Sequence, residues 1–150
     1  MLGPGRVGVK AALALGCALA GCHTRGDTAR AAATHVELMV AMAAKGSDLL
    51  ANGRFTAESL PELTYPLERA AAFAADARRR TDAPPASLVA FERLIAQYRA
   101  FVDRIDRERH DRSGPAEAAT LDAPLTEIES SGRDVAAALE HERVSRGAAG

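Results

Sequence analysis

Cysteine and histidine are the side chains most able to do covalent or ligand chemistry here, and the chain holds 2 and 4 of them. Cys22 stands directly after Leu19, Ala20 and Gly21, and the two small residues before it have the pattern of a processing site. Cys17 also follows a small residue, Gly16, but Ala14-Leu15-Gly16 fits that pattern less well. The histidines are His23, His35, His110 and His141. The residues three before the last three are Ala32, Arg107 and Ala138, so the Glu-x-x-His signature of carboxylate-bridged metal bundles is missing. No His-x-x-x-His or Cys/His cluster has zinc spacing. There is no Gly-x-Ser-x-Gly elbow and no phosphate-cradling glycine loop. The many carboxylates sit at helix ends and on polar faces. A general acid and base need desolvation to separate their pKa values, and the pattern implies none. No catalytic residue is therefore expected, and no metal site.

The first residues have the three parts of an export signal. Arg6 and Lys10 are the positive region, Ala11 to Ala20 is an uncharged apolar run, and Ala20-Gly21 leads to the cut. The run is shorter than the roughly 20 apolar residues a membrane span needs. Leu19-Ala20-Gly21-Cys22 closely resembles the lipobox of bacterial lipoproteins. That resemblance implies cleavage between Gly21 and Cys22, diacylglycerol on the Cys22 thiol and usually an acyl chain on the new amino group. Several chains together anchor a protein stably where one does not. It also implies a place in the bacterial cell envelope facing the periplasm. His23, where an Asp would favour inner-membrane retention, points toward the outer membrane.

Removal of residues 1–21 takes Arg6 and Lys10 out of the 19 basic residues, leaving 17 against 20 acidic. That mildly acidic balance offers no electrostatic case for nucleic acid. Cys22 would be the only cysteine left and would carry lipid, so no internal disulfide is expected. Alanine, the best helix former, is abundant, and aromatics are only 4% of the chain. Both features favour an all-helical domain with thin, alanine-lined interfaces.

The elements follow from apolar spacing. Thr24 to Arg30 reads as a polar tether. Helix 1 is expected from Thr28 or Thr34 to Ala51. Thr34 and Glu37 have capping-box spacing, Val36, Met39, Ala43 and Leu50 form one face, and Asn52-Gly53 is the stop. Phe55 to Thr64 reads as a connector, with a single turn capped by Ser59 and Glu62. Helix 2 is expected to start at Pro66, which suits a first turn, and to end in Arg78-Arg79-Arg80. Pro84-Pro85 is a tight link that makes helices 2 and 3 antiparallel neighbours. Helix 3, from about Pro85 to Asp111, carries an unbroken seam of Leu88, Phe91, Ile95, Tyr98, Val102 and Ile105, widened by Leu94 and Phe101. Its charged end pairs acid before base in Asp103–Arg107 and Glu108–Arg112. Ser113-Gly114-Pro115 breaks it. Helix 4 starts near Asp122 or Ala123 and frays near Arg146-Gly147. Its apolar face is Leu125, Ile128, Val135 and Leu139, with Gly132 between them. The expected fold is all-α: an up-down-up-down antiparallel four-helix bundle. Residues 1–21 form the signal, 22–30 the acylated tether and 31–147 the bundle.

Within the bundle, Phe91-Glu92-Arg93-Leu94-Ile95-Ala96-Gln97-Tyr98 looks like the third helix of the periplasmic b-type cytochromes of the cytochrome b562 kind. Arg69-Ala70-Ala71-Ala72-Phe73, then Asp76-Ala77 and Thr81 with Pro84-Pro85, look like that family's second helix and following turn. The resemblance implies a four-helix bundle and places Met42 near the family's haem-ligating methionine. The family's second ligand is a histidine late in helix 4. With Arg133-Asp134 setting the register, Ala136 or Ala137 stands there instead. His141 is nearby but lies about 200° round the helix from Leu139. The expected molecule is a non-catalytic lipoprotein, a membrane-tethered binding or structural module that could meet an envelope protein or a second copy of itself. The alternative is a lipid-anchored carrier of haem or another small ligand, with Met42 and His141 as its candidate ligands.

Overall fold

A computed structural model of the chain describes residues 9–111 and 121–150, with side chains described from residue 26 onward. Four helices account for nearly all of this: α1 Val9–Ala51, α2 Leu60–Arg79, α3 Ala86–Asp111 and α4 Asp122–Ala148. No strand occurs among the described residues. The chain divides into two compact units, residues 1–31 and 32–150. The second is an all-α four-helix bundle.

The α3 seam organises that bundle. Leu88, Phe91, Leu94, Ile95, Tyr98, Phe101, Val102 and Ile105 are all buried within the one chain. From α1 they meet Val36, Met39, Ala43 and Leu50, the face expected from spacing. From α2 they meet Leu63, Leu67, Ala70 and Ala74, and from α4 Ile128 and Val135. Alternation of direction follows from the contacts. On α1 and α2, Lys45 Nζ bonds Glu62 Oε2 at 2.6 Å while His35 stacks on Phe73 about 15 Å further along. On α2 and α3, the Tyr98 hydroxyl donates to the Leu63 carbonyl at 2.9 Å, and Phe73 meets Phe91 edge-on at 5.8 Å. At the start of α3, Ser87 N–H and hydroxyl donate to the two oxygens of Glu142 near the end of α4, at 2.9 and 2.8 Å. The Glu142 carboxylate thus satisfies an orphan donor of the α3 N-terminus, where negative charge is favoured.

Several boundaries differ from expectation. The polar stretch Thr24–Arg30 is helical, part of α1. Lack of an apolar period does not forbid a helix when the flanking residues are alanine-rich, as at Ala29 and Ala31 to Ala33. Thr34 and Glu37 consequently lie inside α1, far from its start at Val9. Helix α2 begins at Leu60, six residues before Pro66, which sits inside it. The carbonyl that Pro66 strips of its usual donor is that of Glu62, still in the first turn, so little of the helix is lost. Leu63, 1% exposed, pins that turn to the core. Ser59 does not cap Glu62. Its hydroxyl accepts the Thr56 N–H at 3.2 Å, within a short 3-10 turn at Ala57–Ser59. Gly53 takes φ 67°, the left-handed stop expected after α1, and the turn returns Phe55 to the core. At the end of α3 the partners are shuffled. Asp106 holds Arg109 at 2.8 Å and Arg104 lies 3.8 Å from Glu108, in place of Asp103–Arg107. Alternative i,i+3 and i,i+4 pairs differ by only tenths of a kcal/mol, so spacing alone cannot rank them. Arg112 and the Ser113-Gly114-Pro115 break lie outside the described residues.

Candidate functional site

Cys22, Gly21 and His23 fall in the first part of α1, where side chains lie outside the described residues. The geometry of the remaining candidates can be built from the bundle.

Met42 and His141 are not brought together. Met42 is partly buried and packs on the core edge. It lies two residues, about 200°, round α1 from Val40, which touches Gly132 of α4. Met42 therefore faces away from α4. His141 is exposed. The Gly132 contacts with Val36 and Val40 set the α1–α4 register. His141 lies nine residues beyond Gly132, and Met42 lies the opposite way along α1. The two levels are thus about 20 Å apart along the bundle. Ala136 and Ala137, at the register position of the missing histidine, are exposed too. The methionine in the core is Met39, with 0% exposure.

His35 is the half-buried titratable group that sequence spacing did not single out. Its ring lies 5.2 Å from Phe73 and 6.3 Å from Phe91. Burial, and then the positive charge of Arg69, hold its pKa below the ordinary 6.5. The folded state therefore resists protonation that the unfolded chain accepts. The stability contributed by neutral His35 is complete above pH 6.5 and is lost as pH falls toward its lowered folded pKa. Urea unfolding at pH 7.5 and 5.5 should show a larger loss for the native chain than for His35→Gln. Equal losses would mean that His35 contributes nothing to the dependence. Burial also pushes the Tyr98 hydroxyl well above its ordinary range, which suits a permanent donor to the Leu63 carbonyl.

A concave feature lies on the outside of this bundle. Val36, Val40 and Ala41 of α1 and Gly132 and Ala136 of α4 line an open groove of about 510 Å³, almost wholly apolar. Glu37, Glu129 and Arg133 rim it. Gly132 makes the close approach possible, since a Cβ there would meet Val40 Cγ2 at 3.0 Å and Val36 Cγ1 at 3.4 Å. Glu37 and Arg133 are exposed, and neither enters an ion pair among the described residues. The sequence signal for this groove is modest: exposed alanines on α1 and α4 beside a glycine that spacing places on the α4 apolar face.

Among the described residues, no group of three or more His, Cys, Asp or Glu is placed to hold a metal ion, and no helix is long and apolar enough to cross a membrane. No protein-family model matches the chain, and comparison with curated proteins and with solved structures finds no match either.

Proposed function

We propose that this protein is a lipid-anchored component of a bacterial cell envelope, a helical bundle that serves as a binding or structural module. One observation carries the reading: Leu19-Ala20-Gly21-Cys22 follows a positive segment and a short uncharged apolar run at the spacing of a lipoprotein signal. The apolar run is too short to hold the chain in a bilayer by itself, so stable attachment would come from the acyl chains on Cys22. Cleavage would fall between Gly21 and Cys22. Within the bundle, three carboxylates serve structure: Glu142 at the α3 N-terminus, Glu62 on Lys45, and Asp76 on Arg79 and Arg80. The periplasmic face, with the outer membrane favoured by His23, is part of the same reading.

Cys22→Ser tests it. In cells fed a labelled fatty acid, the native chain should take up label and sediment with membranes. The Cys22→Ser chain should take up none and stay at the size of the uncut precursor, because cleavage of such signals follows lipid transfer. Unchanged labelling in the variant would overturn the proposal.

A further inference from the structure

The α1–α4 groove has an apolar floor, unpaired charges of both signs at its rim, and no segment of the described chain across it. Its charges define what would fit. Glu37 stands on the α1 side and Arg133 on the α4 side. The Gly132 contacts with Val36 and Val40 put the two at nearly the same height along the bundle. We propose that this face is the interface of a symmetric dimer, and that a second copy of the chain occupies the groove.

The arrangement of charge selects the symmetry. A closed dimer places the same patch on both copies. If the two-fold axis ran across the groove at the height of Glu37, each helix would face its own copy. Glu37 would then oppose Glu37 and Arg133 would oppose Arg133, and like charges across an interface are penalised. If the axis runs along the bundle, α1 faces α4 of the second copy, antiparallel and at matched height. Glu37 then meets Arg133 of the second copy, and Arg133 meets its Glu37. Glu129 falls at the height of Ala41 of the second copy, where no acidic side chain opposes it. Ala41 and Ala136, both exposed, keep the surface low enough for helix backbones to approach closely. Val40, partly buried at the bottom of the groove, would complete its burial.

The lengthwise axis has a second consequence. It leaves the Ala32 ends of both bundles at the same end of the dimer. Two copies joined this way could insert their lipids into one membrane, whereas the crosswise dimer would point them in opposite directions. The dimer does not depend on the lipid reading. It rests on the groove and its charges, and the two can fail separately.

The test is a charge swap read by sedimentation velocity on the full chain, purified in mild detergent, over a range of loading concentrations. The native chain should sediment as a dimer. Glu37→Arg alone and Arg133→Glu alone should each weaken association by about tenfold or more, since each turns two attractions into two repulsions. The doubly swapped chain should dimerise again, because attraction is restored with reversed sign. Both positions are exposed and unpaired, and helical circular dichroism will verify that the variants fold. A native chain that stays monomeric at every concentration would overturn the proposal. So would single swaps that leave the dimer unchanged, or a double swap that fails to restore it. Acyl labelling of the native and Cys22→Ser chains reads only the anchor, so its outcome leaves this one standing or falling by itself.

Discussion

Phe91→Ala is expected to destabilise the bundle by about 3–5 kcal/mol, the usual cost of truncating a buried aromatic side chain. Phe91 is 1% exposed and meets α2 through the edge-on contact with Phe73 and α1 through His35. Three helices converge there, so the surrounding backbone has little freedom to collapse into the space left behind. The loss is a large share of the roughly 5–15 kcal/mol that stabilises an ordinary domain. Melting followed by circular dichroism should show Tm lower by more than about 10 °C. Phe91→Leu, which keeps most of the volume, should cost far less. The alanine variant should also flatten the pH dependence assigned to His35, because the imidazole would lose part of the apolar wall that disfavours its charged form. A loss below about 1 kcal/mol would mean that Phe91 is not the junction described here.

Gly46→Val is expected to cost about 2–3 kcal/mol by overpacking. Gly46 lies inside α1, where glycine is ordinarily worse than alanine by about 1 kcal/mol. Its use has a local cause. A Cβ there would stand 3.0 and 3.1 Å from the two Leu63 methyls and 3.2 Å from Ile105 Cδ1. Leu63 and Ile105 are 1% and 0% exposed, so their ends have nowhere to swing. The two branches of valine would force α1 away from α2 and α3 near the first turn of α2, where Pro66 already removes a hydrogen bond. Gly46→Ala sets helix preference against the same crowding and should stay within about 1 kcal/mol of the native chain. Urea unfolding of the two variants checks the ordering. A valine variant as stable as the native chain would show that α1 can move away there without loss.

How far the sequence could be read depended on which physical effect decided each feature. The α3 seam was legible because eight apolar positions repeat at helical spacing, and burial of that stripe is the dominant favourable contribution to folding. The α1 core face was legible for the same reason, as was the Gly53 stop, which needs a left-handed backbone. The first turn of α2 was not, because the cost of Pro66 inside a helix is offset by the packing of Leu63, a long-range contact that no local pattern reveals. The helical state of Thr24–Arg30 was not legible from apolar spacing, because there alanine propensity rather than periodicity favours the helix.

The same division holds for the candidate sites. The proposed processing motif, Leu19-Ala20-Gly21-Cys22, is read from the chain itself, because such a signal is a local stretch of residues and needs no fold. The all-α class and the buried faces of α1 and α3 were likewise set by composition and spacing. Only the tertiary structure decided which helix faces meet and at what height. It turned Met42 away from α4 and placed it about 20 Å along the bundle from His141. It set His35 against Phe73 and Phe91, and it brought Glu37 and Arg133 to opposite rims of one groove. These pairings depend on the register between helices. Register is fixed by the close approach of side chains far apart in sequence, such as Gly132 against Val36 and Val40, and that information does not lie in any single segment.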